Sequence, residues 1–513
     1  MSTTMWIIIA FAAYMILMIV IGAVYMKSTT SSEDYFLGGR GLGAWVAALS
    51  AQASDMSGWL LMGLPGAVYA YGTGQSWIAI GLLTGTILNW VFVSGRLRRY
   101  TIRANNSLTL PAYFENRFHD DKRILLTASS VVIVIFFLVY TASALASGGK
   151  LFHLVFGLDY RIALTIGTAV ILIYTFMGGF MAVCVTDFVQ GMLMLVGILA
   201  VPIIALVMIG PENLMATLDA SGVAGGSGSF MNIMHSGGKA YTPVEIFSQF
   251  AWAFGYFGMP HILVRFMAIK DEREIKKSRW VGIIWCALSL IFACALGVIG
   301  RAYLYPTILG TEATGSVENV FVETITKMFN VELAMPFIGG IFLCGIMAAI
   351  MSTADSQLLV TASAVSEDLY HGVINPKADN KKVLNVSRIT VLVVAVLADL
   401  IALDPNSSIM GLVSNAWAGF GSAFGPLVLL SLYWKRTNLP GAIAGIVSGA
   451  LTVIVWDYIP LVGGQTLGTA TGLYSLAVGF VISLVLIVVV SLATKSPSEE
   501  MLKEFEDVEN GNI

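Results

Sequence analysis

The sequence predicts an all-α polytopic membrane protein of about 13 transmembrane helices, and three observations carry that prediction. The 513 residues are 57% hydrophobic and only 12% charged, with a mean hydropathy of +0.82, outside the balance of a water-soluble domain. Apolar runs long enough to cross about 30 Å of hydrocarbon recur from one end to the other, with no soluble stretch between them. The basic residues fall on alternate loops.

The runs place helices at residues 5–26, 43–71, 75–95, 125–147, 162–177, 187–209 and 246–268, then at 280–300, 334–364, 389–402, 409–433, 441–456 and 473–492. The first run lacks the basic leader of a signal peptide and is too long for one, so it is expected to stay as a helix. With the N-terminus outside, only Lys150, Arg161, Lys239, Arg301 and Lys327 of the 28 Lys and Arg residues face out. The segments "GRLRRYTIR", "KDEREIKKSR", "NPKADNKK" and "YWKRTN" then lie on the cytoplasmic face, and an odd number of spans makes the C-terminus cytoplasmic. Residues 1–494 read as a single transmembrane transporter domain. Residues 495–513 read as a short acidic tail, too short for a catalytic or signalling domain.

The net charge of -3 says little about partners beyond the lipid bilayer, and nothing points to nucleic acid. Cys184, Cys286, Cys294 and Cys344 sit in apolar runs at spacings that fit neither a metal site nor a disulfide framework, and read as packing residues.

The second span, "SAQASDMSGWLLMGLPGAVYA", sets Ser54, Asp55, Ser57 and Gly58 close together and Pro65 further on. Such a cluster weakens the backbone ladder where no water replaces it, so an unwound segment facing a protein cavity is expected. The alternative is a kinked but continuous helix whose Asp55 meets a basic side chain. The seventh span, "FSQFAWAFGYFGMPHILVRF", repeats the pattern with Gly255, Gly258 and Pro260 among Trp252, Phe254, Tyr256 and Phe257. Two broken helices, each opening a set of five spans (second to sixth, seventh to eleventh), fit a 5+5 inverted-repeat transporter with its sites near the midplane. No residue-level similarity links the two halves; the argument is one of layout.

The stretches "YFLGGRGLG", "LSAQASDMSGWLLMGLPGAVY", "WAFGYFGMPHILVRFMA", "AAIMSTADSQLLV" and "NAWAGFGSAFGPLVL" resemble the sodium/solute symporter family, specifically its bacterial sodium/proline symporter branch, from the first helix to the last. The resemblance implies a LeuT-type fold in the bacterial cytoplasmic membrane. It also implies a secondary active transporter, not an enzyme, that imports L-proline with sodium as the co-transported ion.

A sodium ion wants about five or six hard oxygen donors, and carbonyls freed by unwinding plus nearby hydroxyls are the cheapest source in a membrane. The second span supplies the unwinding, and Ser352 and Thr353 supply adjacent hydroxyls one turn from Ala349. The resemblance assigns the same roles, with the carbonyls of Ala53, Met56 and Ala349 and the hydroxyls of Ser352 and Thr353. Asp55 then supplies negative charge, either as a ligand or from just behind the ligands. Asp187 is placed by resemblance on a cytoplasmic cation route, and equally well by its position as a helix N-cap. Asp355, three residues after Ser352, shares a helix face with it and could form with Ser356 and Asp187 a second cation or proton station. Arg40 reads either as a coupling residue, which the resemblance implies, or as a positive-inside anchor.

For a zwitterionic substrate, the break offers backbone N–H groups around Ser57 and Gly58 to a carboxylate. Tyr140, Trp252 and Tyr256 offer flat apolar faces with polar edges, and Pro260 shapes the wall. These residue types match the family's proline site; the physics alone admits many small apolar zwitterions, and another small organic solute is the alternative. A channel would want a lined continuous pore. A membrane sensor would want a signalling domain, and only a short tail follows the last span. The chain shows no Walker or nucleophile motif.

Overall fold

The computed structural model describes residues 2–26, 32–175, 179–311 and 314–511. They form a helical bundle, broken only by short loops and two hairpins of two to three residues per strand. Among the described residues, ten helices are long and apolar enough to cross a membrane, from Thr3–Tyr25 to Ser475–Ala493, with Tyr160–Ile173 as a shorter apolar helix. The expected 162–177 helix is seen as Tyr160–Thr175, and its last two residues lie outside the described ones. Large apolar side chains such as Ile16, Val207, Ile389 and Leu492 are exposed around the outside. In water such a belt would drive association; in lipid it is the expected surface.

The second and seventh expected spans are both interrupted. Ala44–Asp55 ends where Met56 takes φ −81°, ψ 63°. A π-helical turn, Trp59–Gly63, and the helix Leu64–Tyr71 complete the crossing. The alternative of a kinked but continuous helix therefore fails. Gly58 belongs in the gap because a Cβ there would lie 2.5 Å from Ser147 Oγ. Pro243–Phe250 gives way to a 3-10 stretch, Ala251–Gly258, before Pro260 opens a new helix, Pro260–Met267. Gly255 lets the Trp417 ring pass within 2.5 Å of where its Cβ would be.

Two boundaries differ from the sequence reading in ways that matter. The helix expected at 187–209 begins at Phe180, with Gly179 before it. Asp187 is thus two turns inside the helix and fully buried, which removes the N-cap reading. The helix of Ser352 runs as Pro336–Ser363 and continues as a π-helical extension, Ala364–Ile374.

The acidic C-terminal segment is not a loose tail. Ser498 caps a helix, Glu499–Glu509, whose Met501, Phe505 and Val508 are buried at the i, i+4, i+7 spacing of one helical face. Its carboxylates meet the basic end of the bundle, Glu509 pairing with Arg96 at 3.3 Å and Asp507 with Arg103 at 3.1 Å. Exposed ion pairs of this kind contribute at most about 1 kcal/mol each, so the apolar face holds the helix and the charges set its register. Truncating the central anchor, Phe505→Ala, should cost about 3 kcal/mol of docking. Hydrogen exchange should show residues 499–509 losing protection while Ser94–Arg103 keeps its own.

Candidate functional site

The break in the first interrupted helix frees peptide groups, and the first of them finds its partners on another helix. The carbonyl of Ala53 accepts Ser352 Oγ at 2.8 Å and Thr353 Oγ1 at 3.4 Å. Ser352 Oγ also lies 3.3 Å from the Ala349 carbonyl. Two carbonyl and two hydroxyl oxygens thus converge, all on buried residues. Met56, the remaining residue expected in this group, is buried at the break itself.

The Asp55 carboxylate is engaged elsewhere. Tyr256 Oη donates to Asp55 Oδ2 at 2.6 Å, and Tyr140 Oη and Trp59 Nε1 both reach the Asp55 carbonyl, at 3.3 and 3.4 Å. No basic side chain meets it among the described residues. Asp55 Oδ1 is buried with no hydrogen bond, an uncompensated acceptor of the kind that a cation or a donor satisfies. The two broken helices are therefore tied to each other through Asp55 and Tyr256.

Beside this knot lies a cavity of about 590 Å³ reaching the end of the bundle where Tyr71 and Gly472 turn, opposite the basic loops. Trp252 lines it. The Trp252 ring stacks on Tyr474 at 5.4 Å and Trp417 at 6.3 Å, and contacts Trp59 at 6.2 Å. Trp252 and Trp59 thus stand between the cavity and Asp55. Of the six expected substrate residues the structure brings five around this point. Tyr140 and Tyr256 hold Asp55, Trp252 faces the cavity, and Ser57 and Gly58 form the gap, where the Ser57 N–H turns back onto the Asp55 carbonyl at 2.9 Å. Pro260 is apart from them, lining a small cavity with Phe36, Pro111 and Asp368; it heads the second half-helix and borders that second space.

Asp187, Asp355 and Ser356 come together, but around a group that sequence reasoning passed over. Arg265, fully buried, places Nη2 3.1 Å from Asp187 Oδ2 and 2.5 Å from Ser356 Oγ. Its Nε donates to Ser50 Oγ at 3.0 Å, and Ser50 Oγ donates to Asp187 Oδ2 at 2.7 Å. Ser356 Oγ is 3.4 Å from Asp355 Oδ1. Arg265 carries a signal in the sequence, a charge within the apolar run "HILVRF", of the same kind as Asp55. Ser50, Trp59, Trp417 and Tyr474 were also missed, since a serine or aromatic in an apolar helix usually packs.

Arg40 bonds two backbone carbonyls and two side chains at once, Thr101 Oγ1 at 3.2 Å among them. It donates to the Met267 carbonyl at 2.7 Å, the Ser107 carbonyl at 2.9 Å and Asn106 Oδ1 at 2.9 Å. Burial first, then the nearby Arg98, push its guanidinium down to about 10, so it stays charged at neutral pH. It fastens the end of Pro260–Met267 to the loop after Arg103.

Residues 35–449 match the Sodium:solute symporter family. The chain is 43% identical to the osmoregulated proline transporter of Bacillus subtilis over 500 residues, 97% of each chain. It is also 43% identical to the sodium/proline symporter of Escherichia coli over 511 residues, 98% of this chain and 96% of that one. Among solved structures it is similar to a Na+-coupled sialic acid symporter, substrate-bound and outward-open, with a TM-score of 0.76 at 18% identity, covering 96% of this chain and 98% of that one. A nucleobase-cation-symport-1 family transporter gives a TM-score of 0.54 at 14% identity over 94% of this chain and 99% of the other. These structural likenesses speak to fold alone, and the fold is LeuT-like.

The buried ion pair makes its own prediction. Removing one partner strands the other charge out of water, at a cost of about 3–5 kcal/mol, whereas replacing both with apolar groups is far cheaper. Melting in detergent should fall steeply in Asp187→Leu and in Arg265→Leu, and recover most of the way in the double variant.

Proposed function

The chain belongs to the sodium:solute symporter family, and from that premise we propose that it imports L-proline, driven by sodium flowing inward, by alternating access. One observation carries the reading. The Ala53 and Ala349 carbonyls and the Ser352 and Thr353 hydroxyls meet at a helix break, beside an aromatic-walled cavity. Relatives at 43% identity over nearly the whole chain are named sodium/proline symporters.

In this reading residues 1–494 form one transporter domain of 13 spans, with the N-terminus outside, the basic loops cytoplasmic and spans 2–6 and 7–11 as inverted repeats. The tail, 495–513, is its cytoplasmic appendage. The 590 Å³ cavity is then open to the outside. Sodium is held by the carbonyls of Ala53, Met56 and Ala349 and by Ser352 and Thr353, whose hydroxyls turn their protons away from the carbonyls and offer lone pairs instead. Asp55 favours the ion through its charge, from just behind the ligands, because its carboxylate is already bonded to Tyr256.

Binding of the ion pulls the break together, and this presents the backbone N–H groups near Ser57 and Gly58 to the proline carboxylate while Tyr140, Trp252 and Tyr256 sheathe the ring. Differential ordering of that kind raises the affinity of each solute for the protein holding the other. Asp187, Asp355 and Ser356 make a station closer to the cytoplasm in which Arg265 stands as a tethered cation. Pro260 and Arg40 act on the inner side, where the second half-helix must move for release.

Two uptake measurements in proteoliposomes test this. Labelled proline should accumulate only with an inward sodium gradient, and Asp55→Asn should abolish accumulation. Ser352→Ala combined with Thr353→Ala should raise the half-saturating sodium concentration at least tenfold while proline, at saturating sodium, still binds. Uptake indifferent to sodium would sink the coupling.

A further inference from the structure

The outer cavity contains a carboxylate that the proposed site does not use. Asp457 is the penultimate residue of the helix Leu439–Tyr458, which lies outside both sets of five spans. A negative side chain there faces the negative end of the helix dipole, an arrangement that costs a few tenths of a kcal/mol and that helices avoid. Locally unfavourable placements of this sort concentrate where function needs them.

The carboxylate is held in position. Asn415 Nδ2 and Ser475 Oγ both donate to Asp457 Oδ2, each at 2.9 Å, so two further helices fix one oxygen, and neither of these bonds involves Oδ1. Asp457 lines the same cavity as Trp252 and Tyr474, and those two rings stack next to it. The other carboxylate of the lining, Glu318, is already neutralised by Lys150 at 2.8 Å and bonded by Ser408 Oγ and the Met410 N–H at 3.3 Å. Among the described residues no Lys, Arg or His lines the cavity, and Asp457 makes no ion pair. A carboxylate fixed in a concave, low-dielectric wall focuses potential and attracts cations.

We propose that Asp457 receives the ammonium group of the incoming amino acid in the outer cavity, while the faces of Tyr474 and Trp252 take its apolar ring, before the substrate passes Trp252. This rests on the symport reading above. A cationic head next to a flat apolar body, a carboxylate next to two stacked rings: the complementarity selects amino acids, and cyclic secondary amines well, over anions and neutral sugars. Asn at 457 keeps the shape and an acceptor for Asn415 and Ser475, so a purely structural tie between the three helices would survive that change.

The experiment is proline uptake at saturating sodium for the intact protein, Asp457→Asn and Asp457→Glu. In Asp457→Asn, KM should rise about tenfold with the maximal rate within twofold, and Asp457→Glu should recover part of the loss. Inhibition by pyrrolidine, which has the ammonium without the carboxylate, should weaken in parallel. Inhibition by tetrahydrofuran-2-carboxylate, which has the carboxylate without the ammonium, should not.

Unchanged KM and unchanged pyrrolidine inhibition overturn the proposal while leaving symport intact. So does a rise in half-saturating sodium with proline KM unmoved, which would give Asp457 to the ion. If the intact protein takes up no proline, the symport reading fails and the proposal with it. Should Asp457→Asn not reach the membrane, Ser414→Cys, another residue of the cavity lining, provides a second readout with Asp457 in place. A membrane-impermeant thiol reagent should label it from outside, and pyrrolidine should slow the labelling where tetrahydrofuran-2-carboxylate does not; labelling indifferent to pyrrolidine overturns the proposal.

Discussion

A helix interrupted inside a membrane must satisfy its freed peptide groups with protein, because no water is there to do it. That constraint organises this molecule. The Ala53 carbonyl is met by two hydroxyls of a second helix, and the Asp55 carbonyl by Tyr140 and Trp59. The Asp55 carboxylate reaches the other interrupted helix through Tyr256. What would be a defect in a soluble helix becomes a junction to which four elements are tied. The oxygen atoms that serve the backbone in this state are the ones a small hard cation would use in another.

The buried charges follow the same logic on the side of the basic loops. Asp187 and Arg265 are fully buried and face one another, with Ser50 bridging the two and Ser356 accepting from the guanidinium, while Asp187 Oδ1 has no hydrogen bond. An ion pair of this sort adds little net stability over an apolar contact. Arg40, by contrast, bonds two backbone carbonyls and two uncharged side chains and fastens the second half-helix where it leaves the core. Close glycine contacts pack the elements around the two breaks, and Gly255, inside the second break, admits the Trp417 ring.

Much of this was legible in the sequence, because a membrane span advertises its exceptions. Gly, Pro, Ser and Asp in an apolar run identified both interrupted helices, and the Ser352–Thr353 pair opposite a break identified the oxygen cluster. Other features left an ambiguous trace. Asp187 looked equally like a helix cap, since the residues before it, "GGFMAVCVT", do not reveal that the helix starts at Phe180. Arg265 does not stand out by hydropathy, which does not tell a buried guanidinium from one reaching the interface. Pro260 was placed with the aromatic wall by its nearness in sequence, yet the turn at Gly258 and Met259 carries it to another cavity. The tail reads only as short and acidic, and its three apolar residues at helical spacing, Met501, Phe505 and Val508, are the hint that it docks.

In the proposed mechanism sodium closes the break by binding at Ala53, Ser352 and Thr353. The most direct test is amide hydrogen exchange across residues 53–63 in the purified protein, comparing sodium with an equal concentration of choline. Slower exchange in sodium, absent when Ser352 and Thr353 are both alanine, is the predicted result. Equal exchange in the two salts, or sodium protection that survives loss of both hydroxyls, would contradict it.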